Sequence, residues 1–217
     1  MPHRLVLLGP PASGKGTQGR RLAEDLGLAY LSTGALLRSA VEQGTELGKQ
    51  AAPVLERGEY LSDELMCSIM GEWLGRQKGG WVLDGFPRSI TQTDFLSAWL
   101  ADKSLKLDAA ILLEVPLDEL LIRLGNRIEC PECRWSGRKQ DLNGADRCPE
   151  CGGVPAPRAD DTPTNFRSRL AEYEENTLPV VSRYEQEGLL HRFDATRGPD
   201  EGAKRLLELV KSLKSHG

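Results

Sequence analysis

Three observations predict an α/β fold built on a doubly wound, five-stranded parallel sheet. Five short apolar runs alternate with helical patterns along the chain. A glycine-bearing loop, Gly9 to Thr17, joins the first run to the first helix, where an open parallel sheet binds its ligands. Two Cys-x2-Cys pairs sit in a Gly- and Pro-rich stretch that interrupts the alternation and marks an insertion. At 217 residues the chain suits one core with small additions.

The elements follow in order. Leu5 to Leu8 reads as a buried strand and Gln18 to Asp25 as a helix. Leu28 to Leu31 is a second strand, followed by short helical pieces, Ala35 to Glu42 and Gly48 to Arg57. Ser62 is a candidate N-cap, with Asp63 and Glu64 in the first turn and apolar spacing through Leu74. Trp81 to Asp84 is a third strand, and a helix is expected from Ile90 to Leu100. Ala109 to Val115 is almost wholly apolar, the mark of a strand covered on both faces. Leu117 to Arg127 reads as an amphipathic helix. After the insertion, Phe166 to Glu187 is expected to be helical with a break at Pro179. Leu189 to Asp194 is the fifth strand and Asp200 to Lys214 a closing helix. No internal repeat is evident.

Gly9 to Thr17 reads Gly-Pro-Pro-Ala-Ser-Gly-Lys-Gly-Thr. Between a strand and a helix, such a loop turns backbone N–H groups toward phosphates. The helix N-terminus adds positive potential, and Lys15 reaches the terminal phosphates. The bland alternative is a tight turn whose glycines only permit positive φ. Lys15 in that context favours binding of a nucleoside triphosphate. The usual Ser or Thr after the lysine is replaced by Gly16. Magnesium would then be held by the nucleotide and by waters anchored on a strand-end carboxylate, for which Asp84 is the candidate.

The net charge of −4 gives no global basic field for nucleic acid or membrane. No charged-then-apolar leader is apparent, and no run approaches the roughly 20 apolar residues of a membrane span. The chain is read as cytosolic. It is read as a monomer, since no exposed apolar stripe stands out.

Phosphoryl transfer needs in-line positioning and cations around the moving group more than covalent chemistry. Lys15, Arg38, Arg88, Arg123, Arg127, Arg158, Arg167 and Arg169 all fall near element ends. A single arginine is more often a solvated surface residue; the shared placement lifts the set. Arg123 and Arg127 share a helix face, whereas at most one of Arg167 and Arg169 faces the site. The histidines His3, His191 and His216 are scattered, so no Ser/His/Asp or Cys/His arrangement competes.

Cys130, Cys133, Cys148 and Cys151 are two knuckles separated by fourteen residues, a spacing suited to one tetrahedral zinc. Four thiolates leave no open position, so the reading is structural. Iron or cobalt could also take four thiolates. An insertion of this size buries little core, and zinc can supply on the order of 10 kcal/mol toward its folding. Acidic residues around the knuckles weaken a nucleic-acid role, and two matched pairs weaken a redox one. Cys67 reads as a small core residue.

Together these stretches resemble adenylate kinase of the bacterial type with a zinc-bearing lid, across essentially the whole chain. The resemblance rests on Gly9–Thr17, Ser32–Arg38, Asp84–Arg88 with Gln92, Arg123 and Arg127, the four cysteines, and Arg158–Asp161 followed by Arg169. It implies a P-loop kinase fold with two small mobile insertions, an AMP-binding segment at 32–61 and a lid at 127–164. The core would be 1–31, 62–126 and 165–217. The implied reaction is ATP + AMP ⇌ 2 ADP with Mg²⁺, and the implied partners are those nucleotides alone.

By the resemblance, Ala12, Ser13, Gly14, Lys15, Gly16 and Thr17 would cradle ATP phosphates. Arg123 would lie against the ATP adenine, with Ser136 and the Arg197 backbone assisting. Thr33, Arg38, Glu59, Tyr60, Leu61, Gly85, Phe86, Pro87, Arg88 and Gln92 would form the AMP pocket, with the Gln92 amide toward adenine. Arg127, Arg158 and Arg169 would close on the phosphates. Several positions depart from the family pattern. Ala12 stands in place of a loop glycine, Ala35 in place of an acidic residue, and Asn126 in place of a glycine. Gly137 stands where an aromatic is common, and Ala195 and Arg197 where glycine and lysine are usual. Two rivals remain: a kinase of the same fold for UMP or CMP, and a P-loop sensor whose knuckles bind nucleic acid or a partner.

Overall fold

The structure is a computed structural model and describes residues 3–142 and 146–213. Five parallel strands, β1 (Arg4–Leu8), β2 (Ala29–Ser32), β3 (Trp81–Asp84), β4 (Ala109–Glu114) and β7 (Leu190–Asp194), lie in the order β2-β3-β1-β4-β7. The strand exchange on either side of β1 makes a topological switch point at its carboxyl end. The predicted fold class is the one observed.

The central strands are apolar on both faces because each face is covered. Val6, Leu8, Leu83, Ala110 and Leu112 join one core. On that side lie α4 (Asp63–Gly75), α5 (Ile90–Asp102) and α8 (Leu178–Gln186), through Met70, Leu74, Leu96, Val180 and Tyr184. Leu5, Leu7, Val82, Ile111 and Leu113 join the other, against Leu22 of α1 (Lys15–Leu26) and Leu206 and Val210 of α9 (Pro199–Ser212). Alternating side chains thus feed two layers, as a strand's period of two requires. The partly buried Cys67 packs against the first core, the role expected of it.

Predicted boundaries shift where capping was not visible. The strand β2 runs directly into α2 (Thr33–Glu42), because Ser32 ends the strand and its hydroxyl accepts from the Ala35 N–H. Ser62 caps α4 as expected, accepting from Leu65 N–H at 3.4 Å. The expected helix from Phe166 to Glu187 is three pieces: α7 (Pro163–Glu172), a π turn (Tyr173–Thr177), and α8. The break precedes Pro179, which has no N–H to give and crowds the carbonyl four residues back. The ladder widens so that Leu178 N–H reaches Tyr173 O. Lys214, the expected end of the closing helix, and His216 lie outside the described residues.

In the insertion, β5 (Arg127–Glu129) and β6 (Ser136–Arg138) form an antiparallel hairpin, with Glu129 also bridged to Ala156. Between β4 and this hairpin runs α6 (Leu117–Asn126), where Leu117, Leu121 and Ile122 are more than half exposed. The expected absence of an exposed apolar stripe therefore does not hold on this helix. No helix among the described residues is long and apolar enough to cross a membrane.

The helices α2 and α3 (Glu46–Arg57) pack closely because Gly48 has no side chain. A β-carbon there would lie 2.0 Å from the Ala40 carbonyl oxygen. Gly48→Ala is expected to lower unfolding free energy by about 1–3 kcal/mol. Urea denaturation reads the change, and an unmoved midpoint would mean that the helix pair yields at no cost.

Candidate active site

A cleft of about 650 Å³ opens at the carboxyl ends of β1 and β3. Its floor is the loop after β1. Gly9, Ala12 and Gly14 all hold positive φ, at 142°, 65° and 94°. Ala12 takes the left-handed conformation for which the resemblance led us to expect glycine, a strained choice for a residue with a β-carbon. Helix α1 begins at Lys15 with Gly14 as its cap and no side-chain cap bond, leaving its first N–H groups directed at the cleft. Lys15 Nζ folds back onto the carbonyls of Gly9 and Pro10 at 2.7 and 2.8 Å.

Burial lowers Lys15 from 10.5 to about 8; Asp84 opposes that shift, while Arg88 and Arg127 add to it. Asp84 is buried at the end of β3. Tyr30 donates to its Oδ2 at 3.1 Å, and the same oxygen faces Gly16. Burial and the adjacent carboxylate push the Tyr30 phenol well above its usual range, so it remains a donor. Tyr30 was not picked out from the sequence, and nothing in an exposed-looking strand-end tyrosine would have marked it.

One wall comes from the 32–61 segment and the loop after β3. Arg38, Glu59, Tyr60, Gly85, Pro87 and Arg88 line it. Arg88 lies over the Tyr60 ring at 4.3 Å and donates from Nε to Gly85 O at 2.8 Å. The loop is pinned from behind. Gln92 accepts from Arg88 N–H and donates to Asp63, both at 2.8 Å, and Thr177 of the π turn donates to Arg88 O at 3.0 Å. Thr33, Leu61, Phe86 and Gln92, expected as pocket residues, stand behind this wall rather than on it. The Gln92 amide is engaged at both ends, and Thr33 donates to Gly85 O at 2.9 Å.

The opposite wall holds Arg123, which bridges Ser13 O at 3.2 Å and Ala195 O at 2.7 Å. It so ties the floor to the loop after β7, where Arg197 lines the rim. Ser136 and Gly137 of β6 also line the cleft, and Thr17 donates to Ser136 O at 3.3 Å. The ring of Trp135, next to them, lies 2.4 Å from where a β-carbon at Gly137 would sit, and it lines the cleft as well.

Over the top sit the remaining arginines, each with a carboxylate. Arg127 makes a two-pronged pair with Asp161. Arg158 and Arg169 meet Asp160 at 2.8 and 2.5 Å. Burial raises the Asp160 carboxyl, but the bonds and charges of both arginines outweigh it and hold the group well below the carboxylate range. Arg169 faces the cleft and Arg167 is exposed, so one of that pair faces the site as expected.

The four cysteine sulfurs lie within 4.8 Å of one another, with Cys130–Cys151 at 3.4 Å and Cys133–Cys148 at 3.5 Å. Sulfurs around one ion at about 2.3 Å would be about 3.8 Å apart, so the set fits a single tetrahedral metal. The knuckles are the same tetrapeptide, Cys-Pro-Glu-Cys, a short internal repeat where none was expected. Their backbones match too. Cys130 N–H bonds Trp135 O and Arg134 N–H bonds Cys130 O; Cys148 N–H bonds Gly153 O and Gly152 N–H bonds Cys148 O. Arg20 of α1 donates to the carbonyls of Cys133 and Arg134, docking the first knuckle on the core.

A doubly wound sheet with a phosphate loop at its switch point, roofed by paired arginines, defines a P-loop nucleotide kinase. The family model described as adenylate kinase matches residues 7–189. The chain is similar to proteins named adenylate kinase from Moorella thermoacetica (40% identity, covering 89% of this chain and 91% of that one) and Paracoccus denitrificans (36%, 98% and 99%). A third, from a Synechococcus species, is 41% identical over 90% of this chain and 92% of its own. The chain belongs to the adenylate kinase family.

Two outcomes test the site. A triphosphate beside Lys15 favours the ammonium, so binding should draw in a proton above about pH 8 and weaken as pH rises toward 10. Calorimetry at pH 8.5 in buffers of different ionisation heat measures this uptake, and Lys15→Met should abolish it. Cys130→Ser should lower the melting temperature while catalysis at low temperature changes less; a variant that melts like the parent would remove the metal staple.

Proposed function

We propose that the protein catalyses reversible, Mg²⁺-dependent phosphoryl transfer from ATP to AMP, giving two ADP. The observation that carries this reading is the distribution of cations. Lys15 and Arg123 come from the phosphate-loop end of α1 and from α6, Arg38 and Arg88 from α2 and the loop after β3, and Arg127, Arg158 and Arg169 share Asp160 and Asp161; all seven line one cleft. Two phosphate-bearing ligands meeting head to head, one at each of the first two sets, would leave the transferred group to the three arginines that share Asp160 and Asp161.

The phosphate-loop N–H groups and Lys15 would hold the donor phosphates, with Lys15 exchanging the Gly9 and Pro10 carbonyls for ligand oxygens. Arg38 and Arg88 would hold the acceptor phosphate, and Glu59 and Tyr60 would flank its nucleoside. Arg127, Arg158 and Arg169 would stabilise charge on the equatorial oxygens in the transition state. Asp84, fixed by Tyr30 and facing Gly16, suits the anchoring of magnesium waters; the ion itself neutralises charge on the donor phosphates. Gln92 supports the Arg88 loop in the present arrangement, so adenine recognition through its amide would require exchange of the Asp63 bond. Residues 32–61 and 127–164 would move as separate bodies over the core 1–31, 62–126 and 165–217, shutting out water before transfer. Zinc in the four-cysteine site would keep the second body rigid.

The decisive experiment is a coupled assay of ADP formation from ATP and AMP, with CMP and UMP as alternative acceptors. ADP formation with AMP preferred is the expected result; a pyrimidine preference or no ADP would overturn the reading. Lys15→Met should cut the rate by at least about a hundredfold without changing the melting temperature.

A further inference from the structure

Glu129 is a carboxylate inside the cation cage that neither the phosphate loop nor the zinc knuckles require. It is the last residue of β5, immediately before Cys130. Its backbone is held from two sides, paired with Ser136 and bonded to Ala156 in both directions at 2.9 and 3.0 Å. Its side chain is only 10% exposed.

The two carboxylate oxygens face different partners. Oε2 lies 3.5 Å from Arg38 Nη2 and 3.7 Å from Arg158 Nη1, guanidiniums belonging to the 32–61 segment and to the insertion. Oε1 lies 3.4 Å from Arg134 Nη1. Arg134 is itself gripped by Glu42 of α2 through both terminal nitrogens. It also holds φ 64°, at the position filled by glycine (Gly152) in the second knuckle. Burial and the nearby Arg158 lower Arg38 to about 10, and Glu129 opposes that shift. The carboxylate therefore lets two like charges from separate parts of the chain approach one another.

We propose that Glu129 is a positioning residue that occupies the acceptor-phosphate subsite by proxy. Its Oε2 holds Arg38 and Arg158 together until a phosphate displaces it, and its Oε1 remains parked on Arg134. The inference rests on the acceptor-phosphate role given to Arg38 above. Glu129 thereby sets acceptor affinity, because incoming phosphate must break its two contacts. Arg134 sets how readily Glu129 withdraws.

The test is calorimetric binding of AMP alone to the metal-loaded full chain. Glu129→Gln keeps the shape and removes the charge, and should tighten AMP binding by about three- to tenfold. Arg134→Ala leaves Glu129, among the described residues, only the cage arginines to pair with, and should weaken AMP binding. In the double variant the Arg134→Ala effect should vanish. Unchanged or weaker binding by Glu129→Gln, or equal Arg134→Ala effects in both backgrounds, overturns the inference. If the parent makes ADP from ATP and AMP while either of those results is obtained, the inference alone fails. If the parent neither binds AMP nor makes ADP, the reading beneath it fails as well.

Discussion

Crowding of like charge is the constraint around which the site is arranged. Lys15, Arg38, Arg88, Arg123, Arg127, Arg158 and Arg169 converge on one partly buried cleft. A buried guanidinium without a partner is strongly destabilising, so each cation needs a carboxylate, a carbonyl or a ring. Asp160 and Asp161 serve Arg127, Arg158 and Arg169; Glu129 serves Arg38 and Arg158; backbone carbonyls serve Lys15 and Arg123; the Tyr60 face serves Arg88. On the proposed function, these partners would be exchanged for phosphate oxygens when nucleotides bind.

Glu129, Asp160 and Asp161, the carboxylates paired with Arg38, Arg127, Arg158 and Arg169, all lie in the insertion, which is poor in apolar residues and carries the four-cysteine cluster. Cys130 follows Glu129 directly, and Arg127 is two residues earlier. A metal fixing the knuckle would fix the hairpin that carries both. The core contributes in a different way. Its strands are packed on two faces and deliver Asp84, Gly85 and the phosphate loop to one edge, while Asp63, Gln92 and Thr177 brace the Arg88 loop from behind.

Much of this was legible in the sequence because it is encoded locally. The five strands announce themselves as apolar runs, and the phosphate loop and cysteine pairs are contiguous patterns. What escaped was non-local or masked by chemistry that suits two roles. Gln92 has an amide fit for a base edge, yet in the fold that amide is spent on Asp63, far away in sequence. The β5–β6 hairpin has too few apolar residues to show alternation. Glu129 and Tyr30 gain significance only from neighbours on other elements, and the exposed leucines of α6 look like core residues in a periodic pattern. The family to which the chain belongs is the one those contiguous motifs resemble.

The π turn at Tyr173–Thr177 carries a consequence for evolution of this helix. Apolar and polar positions run at ordinary helical spacing straight through it, from Phe166 to Tyr184, while the backbone slips by the wider winding. A single stripe in the sequence is thus divided between two tasks. Before the slip it presents Arg169 and Tyr173 to the cleft; after it, Val180, Val181 and Tyr184 sink into the sheet-facing core. A change that restored regular winding would throw one half out of phase with its surroundings, whichever half it spared.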